Sequence, residues 1–186
     1  MMGTRFIAFA ALLACAEAIV APASGSVPMR LRGGGMERTL AILKPDAVSK
    51  GKDGEMKSII QDKGFKIVKE KKMKLSQDQA KNFYKEHDGK PFYDGLVEFM
   101  TSGDVVVMIL QKDDGIKGWR SLMGPTNSLK AKEQAKDSLR AKFGTDGGKN
   151  ACHGSDSPQS ARREIKFFFG LGEWLLVFLP PLRLFW

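Results

Sequence analysis

Cysteine is scarce in this 186-residue sequence, which contains only Cys15 and Cys152. Because Cys15 lies in a predicted leader, Cys152 would have no partner, which excludes a disulfide-stabilised scaffold. Long apolar runs are also missing: no stretch reaches the roughly 18 residues of a membrane-spanning helix, so no transmembrane anchor is expected. Hydrophobic residues at 42% and charged residues at 27% are ordinary for a globular domain and exclude a collagen, a coiled coil and a largely disordered chain.

Several catalytic signatures are absent as well. Residues 144–149, GTDGGK, are glycine-rich, but too few residues precede the Gly-Lys pair and Asn150 follows it, which excludes a Walker A loop. The motifs G-x-S-x-G and H-E-x-x-H and paired C-x-x-C are not found. His87 and His153 lie far apart in the sequence and form no recognisable metal-ligand set with the single remaining cysteine.

Basic residues outnumber acidic ones, 30 against 21, for a formal charge of +9. Such a surface suits nucleic acid, phosphorylated metabolites or anionic lipid without choosing among them. The lysines between Lys66 and Lys74 would suit a nucleic-acid patch. No exposed aromatic residues are interleaved for base stacking, however, so a solvated strand face is favoured.

The two ends of the chain differ from the rest. Residues 1–23 predict a signal peptide, because Arg5 precedes an apolar stretch that ends in small residues. Residues 24–36 predict a linker, or a transit-like segment similar to those of algae with secondary plastids. We expect entry into the secretory pathway, with such a plastid as one destination and a cytosolic form arising from a start at Met36. Residues 171–186 form a hydrophobic tail, interrupted by two prolines and too short to cross a membrane, whose role the sequence does not reveal.

Alternating strands and helices predict one folded domain over residues 37–170. Apolar runs and alternating patterns predict strands at 39–43, 65–75 and 104–110 and a last strand near 149–152. Helical spacing, caps and terminating glycines predict helices at 56–64, 76–87, 91–103, 119–123 and 158–169.

Residues 150–157, NACHGSDS, contain the clearest chemical pattern. His153 lies between a β-like segment and a helix N-terminus, and a neutral imidazole is a nucleophile near pH 7. Gly154 would let a reactant approach closely, and Glu164 in the following helix would hold the other ring nitrogen. A histidine that is only hydrogen-bonded in a loop is the alternative. Cys152 forms no dyad with His153, because neighbours on a strand face opposite ways.

The segment 150–157 closely resembles the active-site signature of nucleoside diphosphate kinases. The resemblance covers residues 37–169, and its separate motifs follow in the family's order. The other motifs are ERTLAILKPDAV (37–48), GKPFYDGLVEFMTSG (89–103), GWRSLMGPTN (118–127) and SARREI (160–165).

This resemblance implies an α+β fold, the ferredoxin-like βαββαβ antiparallel sheet with covering helices. It also implies a ping-pong reaction in which a nucleoside triphosphate, mainly ATP, phosphorylates His153, and the phosphohistidine passes the group to a nucleoside diphosphate. Mg²⁺ is implied as a companion of the nucleotide phosphates rather than as an ion in a protein cage. A homo-oligomer, a hexamer in the family, is implied as the assembly.

The same resemblance assigns roles to single residues. In the catalytic group, His153 is the nucleophile, Glu164 orients it, Ser155 supports that carboxylate and Tyr84 lies beside the ring. In the nucleotide-binding group, Arg120, Thr126 and Arg140 contact phosphates, Lys44 reaches sugar and phosphate, Asn150 contacts the ribose, and the base stacks on Phe92.

Residues 127–139 depart from the commonest family pattern by a short insertion that resembles a divergent subgroup. The alternative hypothesis is therefore a catalytically weak module on the same fold that binds nucleotides or nucleic acid. The complete set of cationic residues expected around His153 favours the enzyme.

Overall fold

The structure, a computed structural model, describes residues 36–178. The predicted signal peptide (1–23), the linker up to residue 35 and the tail from residue 179 lie outside the described residues. The predictions made for those segments, including the compartment and the domain boundaries, therefore stay predictions.

The described residues form four strands: β1 (Met36–Leu43), β2 (Lys66–Lys74), β3 (Asp104–Asp113) and β4 (Cys152–Gly154). They make an antiparallel sheet in the order β2-β3-β1-β4. The two central strands are buried on both faces, because their sequences are nearly continuous apolar runs. The outer strand β2 alternates between exposed and half-buried residues, and a register shift between Ile67 and Lys69 interrupts the alternation.

Helices cover both faces of this sheet. One apolar cluster includes Met56, Ile60 and Trp119, and the other includes Phe83 and Ile165. The strand order and the two covered faces confirm the expected ferredoxin-like α+β fold. The helices are α1 (Pro45–Val48), α2 (Asp53–Asp62), α3 (Gln77–Phe83), α4 (Tyr93–Thr101), α5 (Gly115–Met123), α6 (Ser128–Gln134), α7 (Leu139–Phe143) and α8 (Pro158–Phe178).

Local sequence signals account for several helix ends. Ser76 and Gln79 form the predicted capping box at the start of α3. The Ser157 hydroxyl accepts the backbone N–H of Ser160 at 3.1 Å, as expected of an N-cap. Gly64 follows α2 with a φ of +80°, a left-handed conformation that glycine adopts without steric cost.

Other predicted boundaries are wrong. The helix predicted from residue 76 to 87 ends at Phe83, and a 3₁₀ turn (Lys85–His87) follows. The helix predicted from Pro91 begins at Tyr93. The last strand lies at Cys152–Gly154 rather than near 149–152, because Ala151 has a φ of +65° that strand geometry does not permit.

The region after α5 contains two short helices that periodicity did not predict. Asn127 caps α6, and its side chain accepts the backbone N–H groups of Leu129 and Lys130. Ser138 caps α7 through the N–H of Ala141. The segment 127–139, which contains the short insertion, therefore forms capped helical structure rather than an open loop.

The lysines of β2 are mostly exposed, which agrees with a solvated strand face. Lys71 is the exception, since its Nζ lies 5.1 Å from the Phe169 ring centroid and donates to the Phe168 carbonyl. This cation lies at the end of the first part of α8, which breaks at Gly170, where φ is 79° and ψ is 177°.

Among residues 36–178, none of the helices combines the length and apolar character needed to span a bilayer.

Candidate active site

A cavity of about 880 Å³ brings the predicted site residues together. Ser155 alone of the set does not line it, because its side chain is fully buried behind Glu164. The predicted residues that line the cavity are Lys44, Tyr84, Phe92, Arg120, Thr126, Arg140, Asn150, His153 and Glu164.

His153 and Glu164 form the predicted pair. His153 lies on β4 opposite Ile42, and its Nε2 is 3.2 Å from the Glu164 Oε2. The same oxygen accepts a hydrogen bond of 2.7 Å from the Ser155 hydroxyl, whose oxygen accepts the Leu40 N–H at 3.2 Å. Because a carboxylate only accepts, Nε2 carries the proton and Nδ1 keeps a lone pair.

Aromatic rings surround the imidazole. Phe83 lies edge-on to His153, with ring centroids 5.3 Å apart, and Tyr84 lies at 6.2 Å. Burial, together with the nearby Glu164 carboxylate, raises the pKa of Tyr84, so its hydroxyl remains a donor at neutral pH. Among the described residues this buried hydroxyl has no hydrogen-bond partner, so it is free to donate to a ligand.

Arg140 is a buried cation that is hydrogen-bonded to the backbone next to His153. Its guanidinium donates to the Gly124 carbonyl at 2.8 Å and to the Cys152 carbonyl at 3.1 Å. Its Nε is buried and has no hydrogen-bond partner in the part of the chain that the structure describes. Arg120 is exposed on α5 and lines the same cavity, so two guanidinium groups are available to an anionic ligand.

Lys44 is the second buried cation. Its Nζ donates to the Asn150 Oδ1 at 2.7 Å and to the Gly148 carbonyl at 3.3 Å. Burial lowers the pKa of Lys44 to about 8, and the neighbouring Arg140 acts in the same direction. An anion placed between these two cations would relieve their repulsion, so the pair favours a phosphorylated ligand.

The turn before β4 holds Asn150 through several contacts. The Asn150 side-chain amide donates to the carbonyls of Thr126 at 2.8 Å and Gly147 at 3.1 Å. The Asp146 carboxylate accepts the N–H groups of Gly148 and Lys149, both at 2.7 Å, and these bonds lower its pKa. These contacts engage both the oxygen and the nitrogen of the Asn150 side chain within the protein.

Phe92 lies at the mouth of the cavity with 54% of its surface exposed. The His87 ring centroid is 5.6 Å from that of Phe92, and the Lys90 Nζ is 5.9 Å from it. An exposed aromatic ring beside a cationic pocket is the arrangement that base stacking requires.

Gly154 lines the cavity, and the structure adds a requirement for glycine that the sequence did not predict. A Cβ added at Gly154 would lie 2.2 Å from Nε1 of Trp119, so the indole also requires glycine at this position. Sequence analysis also missed that the Trp119 indole N–H donates to the His153 carbonyl at 3.2 Å. Trp119 carries no sequence signal for this contact, because its apolar helical position alone predicts core packing.

Asp46 is another contact that the sequence did not reveal. Its Oδ2 accepts the N–H of Ala151 at 3.0 Å, next to the positive φ of that residue. Burial raises the pKa of Asp46, and the hydrogen bond from Ala151 acts in the opposite direction. This bond therefore stabilises the buried carboxylate and the left-handed backbone of Ala151 together.

Cys152 faces away from His153, as the alternation of strand side chains predicts. Its side chain is buried in the apolar cluster that contains Trp119. Burial raises the pKa of the Cys152 thiol to about 11, so it stays protonated at neutral pH and is no nucleophile there. Within residues 36–178, no three His, Cys, Asp or Glu side chains come together to hold a metal ion.

Comparison with known proteins gives consistent matches. The sequence profile of the family "Nucleoside diphosphate kinase" matches residues 37–174. A nucleoside diphosphate kinase of Syntrophotalea carbinolica is 50% identical over 134 residues, which cover 72% of this chain and 96% of that protein. The solved structure from Aquifex aeolicus is 47% identical, with a TM-score of 0.71 over 73% of this chain and 96% of that one. The enzyme of Halobacterium salinarum, solved in complex with CDP, is 38% identical, with a TM-score of 0.70 over 75% and 91% of the two chains.

These matches extend over the strands, the helices and the cavity described above. They favour a phosphotransferase over the alternative of a weakly active binding module. With its motifs, its sheet order and most of its length matched, the chain belongs to the nucleoside diphosphate kinase family.

Proposed function

We propose that His153 accepts the γ-phosphoryl group of a nucleoside triphosphate and passes it to a nucleoside diphosphate. The observation that carries this proposal is the fixed imidazole, whose Nε2 faces Glu164 while Nδ1 keeps a lone pair in a cationic cavity. Family membership supports nucleotide phosphoryl transfer, and this geometry supports His153 as the group that takes part in it.

In the first half-reaction, Nδ1 of His153 attacks the γ-phosphorus. A nitrogen–phosphorus bond forms, the bond between the γ-phosphorus and the β,γ-bridging oxygen breaks, and the nucleoside diphosphate leaves with that electron pair. In the second half-reaction a terminal oxygen of another diphosphate attacks the phosphorus, and the electron pair of the nitrogen–phosphorus bond returns to the imidazole. Glu164 stabilises the positive charge that the ring acquires while it is phosphorylated.

Arg120, Arg140 and Lys44 would neutralise the transferring group and the leaving phosphates. Planar guanidinium groups suit this task, because each holds two phosphate oxygens at once. The partnerless Tyr84 hydroxyl and Arg140 Nε are supporting observations, since a phosphate oxygen would satisfy both. Thr126 and Asn150 would contact the nucleotide beside them.

Phe92 would provide the surface on which the base stacks. Stacking accepts any base because every base has a π face, so we expect purine and pyrimidine nucleotides to be substrates. The Halobacterium salinarum relative was solved with CDP, a pyrimidine diphosphate, which supports this expectation for the similar cavity here.

Mg²⁺ would enter with the nucleotide, bound to its phosphates. Asp146 and Asp156 line the cavity, but both carboxylates are already engaged within the protein. Asp146 accepts backbone N–H groups and Asp156 accepts the Ser160 hydroxyl, so the arrangement fits an ion that is held by the phosphates rather than by these side chains. When bound, the ion neutralises charge on the phosphate oxygens.

We also propose that the protein forms a homo-oligomer, as the family implies, and that residues 1–23 direct it into the secretory pathway. Light scattering of the purified protein and detection of a processed N-terminus in cells test these two points.

The phosphohistidine can be tested by incubating the protein with γ-³²P-labelled ATP. We expect a phosphoprotein that is labile in acid and stable in alkali, and His153→Ala should abolish labelling. His87→Ala is the matched control, because His87 lines the same cavity without contacting Glu164. Labelling that survived His153→Ala, or that His87→Ala removed, would contradict the assignment.

A further inference from the structure

The strand that carries His153 is short and lies at the edge of the sheet. In the described sheet β4 lies outside β1, and it pairs with β1 through Cys152, His153 and Gly154. An outer strand lacks a second neighbour to satisfy its outward backbone groups. The outward Cys152 carbonyl accepts a hydrogen bond from Arg140 instead. The His153 carbonyl, which the register turns toward β1, receives the Trp119 indole N–H as a further donor.

We propose that Trp119 is a positioning residue for phosphoryl transfer, and that it sets the orientation of β4 through the His153 carbonyl. This inference rests on the proposed function of His153. It assigns to α5 a task beyond carrying Arg120, because the residue beside that arginine determines how the nucleophile is presented.

The indole contacts the backbone at two successive residues. Its N–H donates to the His153 carbonyl at 3.2 Å, and its five-membered ring lies directly over Gly154. A Cβ at Gly154 would be 2.2 Å from Nε1 and 2.3 Å from Cδ1 of the indole. Rotation of β4 about its own axis would therefore break the hydrogen bond or drive the strand backbone into the ring.

The indole itself has little freedom to move. Trp119 is fully buried, and Phe65 lies edge-on to it with ring centroids 6.2 Å apart. A buried aromatic side chain in a close-packed cluster keeps one rotamer, so the position of its N–H is determined by the core.

The nucleophile is then held from both faces of the sheet. Glu164, on α8, fixes the imidazole, and Trp119, on the opposite face, fixes the backbone from which the ring projects. In-line attack depends on the position of Nδ1, and a displacement of about 1 Å can cost about a hundredfold in rate. Loss of the backbone contact should therefore slow the phosphoryl step more than it weakens nucleotide binding.

Trp119→Phe tests the proposal, because it keeps an aromatic ring in the core and removes the donor. We expect the single-turnover rate of His153 phosphorylation by ATP to fall about tenfold, with the nucleotide Kd changed by less than about twofold. Ile60→Val is the matched control, since it removes one buried methyl group from the same apolar cluster and leaves the indole, its N–H and Phe65 in place. That variant should lower Tm and keep the phosphorylation rate.

A folded Trp119→Phe protein that is phosphorylated at the wild-type rate would overturn the inference, and so would an equal rate loss in Ile60→Val. If Trp119→Phe does not fold, Gly154→Ala gives a second test, because its methyl group displaces the strand from the indole without removing a core atom. A wild-type rate in Gly154→Ala would also overturn the proposal. Absence of labelling in the unmodified protein would instead refute the proposed function, so the two failures are distinguishable.

Discussion

The buried carboxylate of Glu164 accepts hydrogen bonds from two neighbouring side chains. Its Oε2 accepts hydrogen bonds from both His153 and Ser155, while its Oε1 lies 3.9 Å from the guanidinium of Arg163. Arg163 also pairs with Glu86, so a chain of charged side chains leads from His153 to Glu86, which also lines the cavity. At the level of single residues, the reactivity of His153 therefore depends on the acceptor that its Nε2 faces.

Replacement of Glu164 by glutamine should slow phosphorylation of His153. The amide cannot balance the positive charge that the imidazole acquires, and hydrogen bonds to charged groups contribute about 1.5–3 kcal/mol, which corresponds to a rate loss of about ten- to a hundredfold. Stopped-flow measurement of the half-reaction with ATP checks this. Glu86→Gln is the control, because it changes the contact with Arg163 without touching His153. Equal rates for the wild type and Glu164→Gln would remove Glu164 from its proposed role.

The buried Lys44 predicts a pH dependence of nucleotide binding. Because its pKa is lowered to about 8, the side chain loses its charge as the pH rises through about 8 in the free enzyme. A phosphate binds the protonated form, so KM for a nucleoside diphosphate should increase above about pH 8. Steady-state kinetics between about pH 6.5 and 9.5 would measure it.

Lys44→Met provides the comparison for this pH dependence. It has no ammonium to lose, so its KM should be high and nearly constant over the same range. Parallel KM profiles for the two proteins would show that another group is responsible.

Among the elements, the turn that ends α5 shows how a glycine shapes the site. Gly124 has a φ of +79°, and a Cβ there would lie 2.4 Å from the Oγ of Ser138, which caps α7. Its carbonyl accepts the hydrogen bond from Arg140. The turn therefore holds two helices and a phosphate-binding candidate in one arrangement.

Gly124→Ala should destabilise the protein more than Gly51→Ala. Both positions have a positive φ, at 79° and 67°, but nothing lies within 4 Å of a Cβ at Gly51. We expect a loss of about 1 kcal/mol in the free energy of unfolding for Gly51→Ala, and about 3 kcal/mol for Gly124→Ala, where the collision adds to the backbone strain. Urea denaturation measures both. Equal losses would mean that Ser138 moves aside without cost.

For the molecule as the structure describes it, the cavity and the core both end within the first part of α8. The apolar cluster on the α8 face extends to Phe168 and its partly buried neighbour Phe169, and the last described residue that lines the cavity is Glu164. The break at Gly170 separates this part of α8 from the segment in which Leu171 and Leu175 are exposed.

Truncation after Gly170 should leave kcat for phosphoryl transfer unchanged, because it removes none of the described residues that line the cavity. Truncation after Phe167 is the control, and it should cost about 3–5 kcal/mol, since it removes the buried Phe168 ring. Coupled assays with ATP and a second diphosphate, together with thermal melts, test both proteins. A large loss of kcat in a folded chain ending at Gly170 would assign the tail to the active form.

The fold and most of the candidate site could be predicted because their signals are local. Apolar runs identified β1 and β3, a capping box marked the start of α3, and contiguous motifs pointed to His153 and Lys44. The predicted boundary of the last strand was wrong because it is decided by the backbone conformation of one residue, Ala151. The positive φ of Ala151 is supported by a hydrogen bond to the distant Asp46, which the local sequence does not reveal. The short helices α6 and α7 were not predicted, because neither is long enough to show a helical periodicity in the sequence.

The amino-acid order alone was enough to identify the class of fold and the family and to single out His153 as the candidate nucleophile, because each is encoded in short patterns of neighbouring residues. The reach of Glu164 to Nε2, the place of Ser155 behind it and the need for glycine at position 154 emerged only from the folded chain. These features join residues on different elements, as when Trp119 contacts β4 from the opposite face of the sheet. Packing places such groups together, and no local pattern records which distant side chain will fill the space beside a given backbone atom.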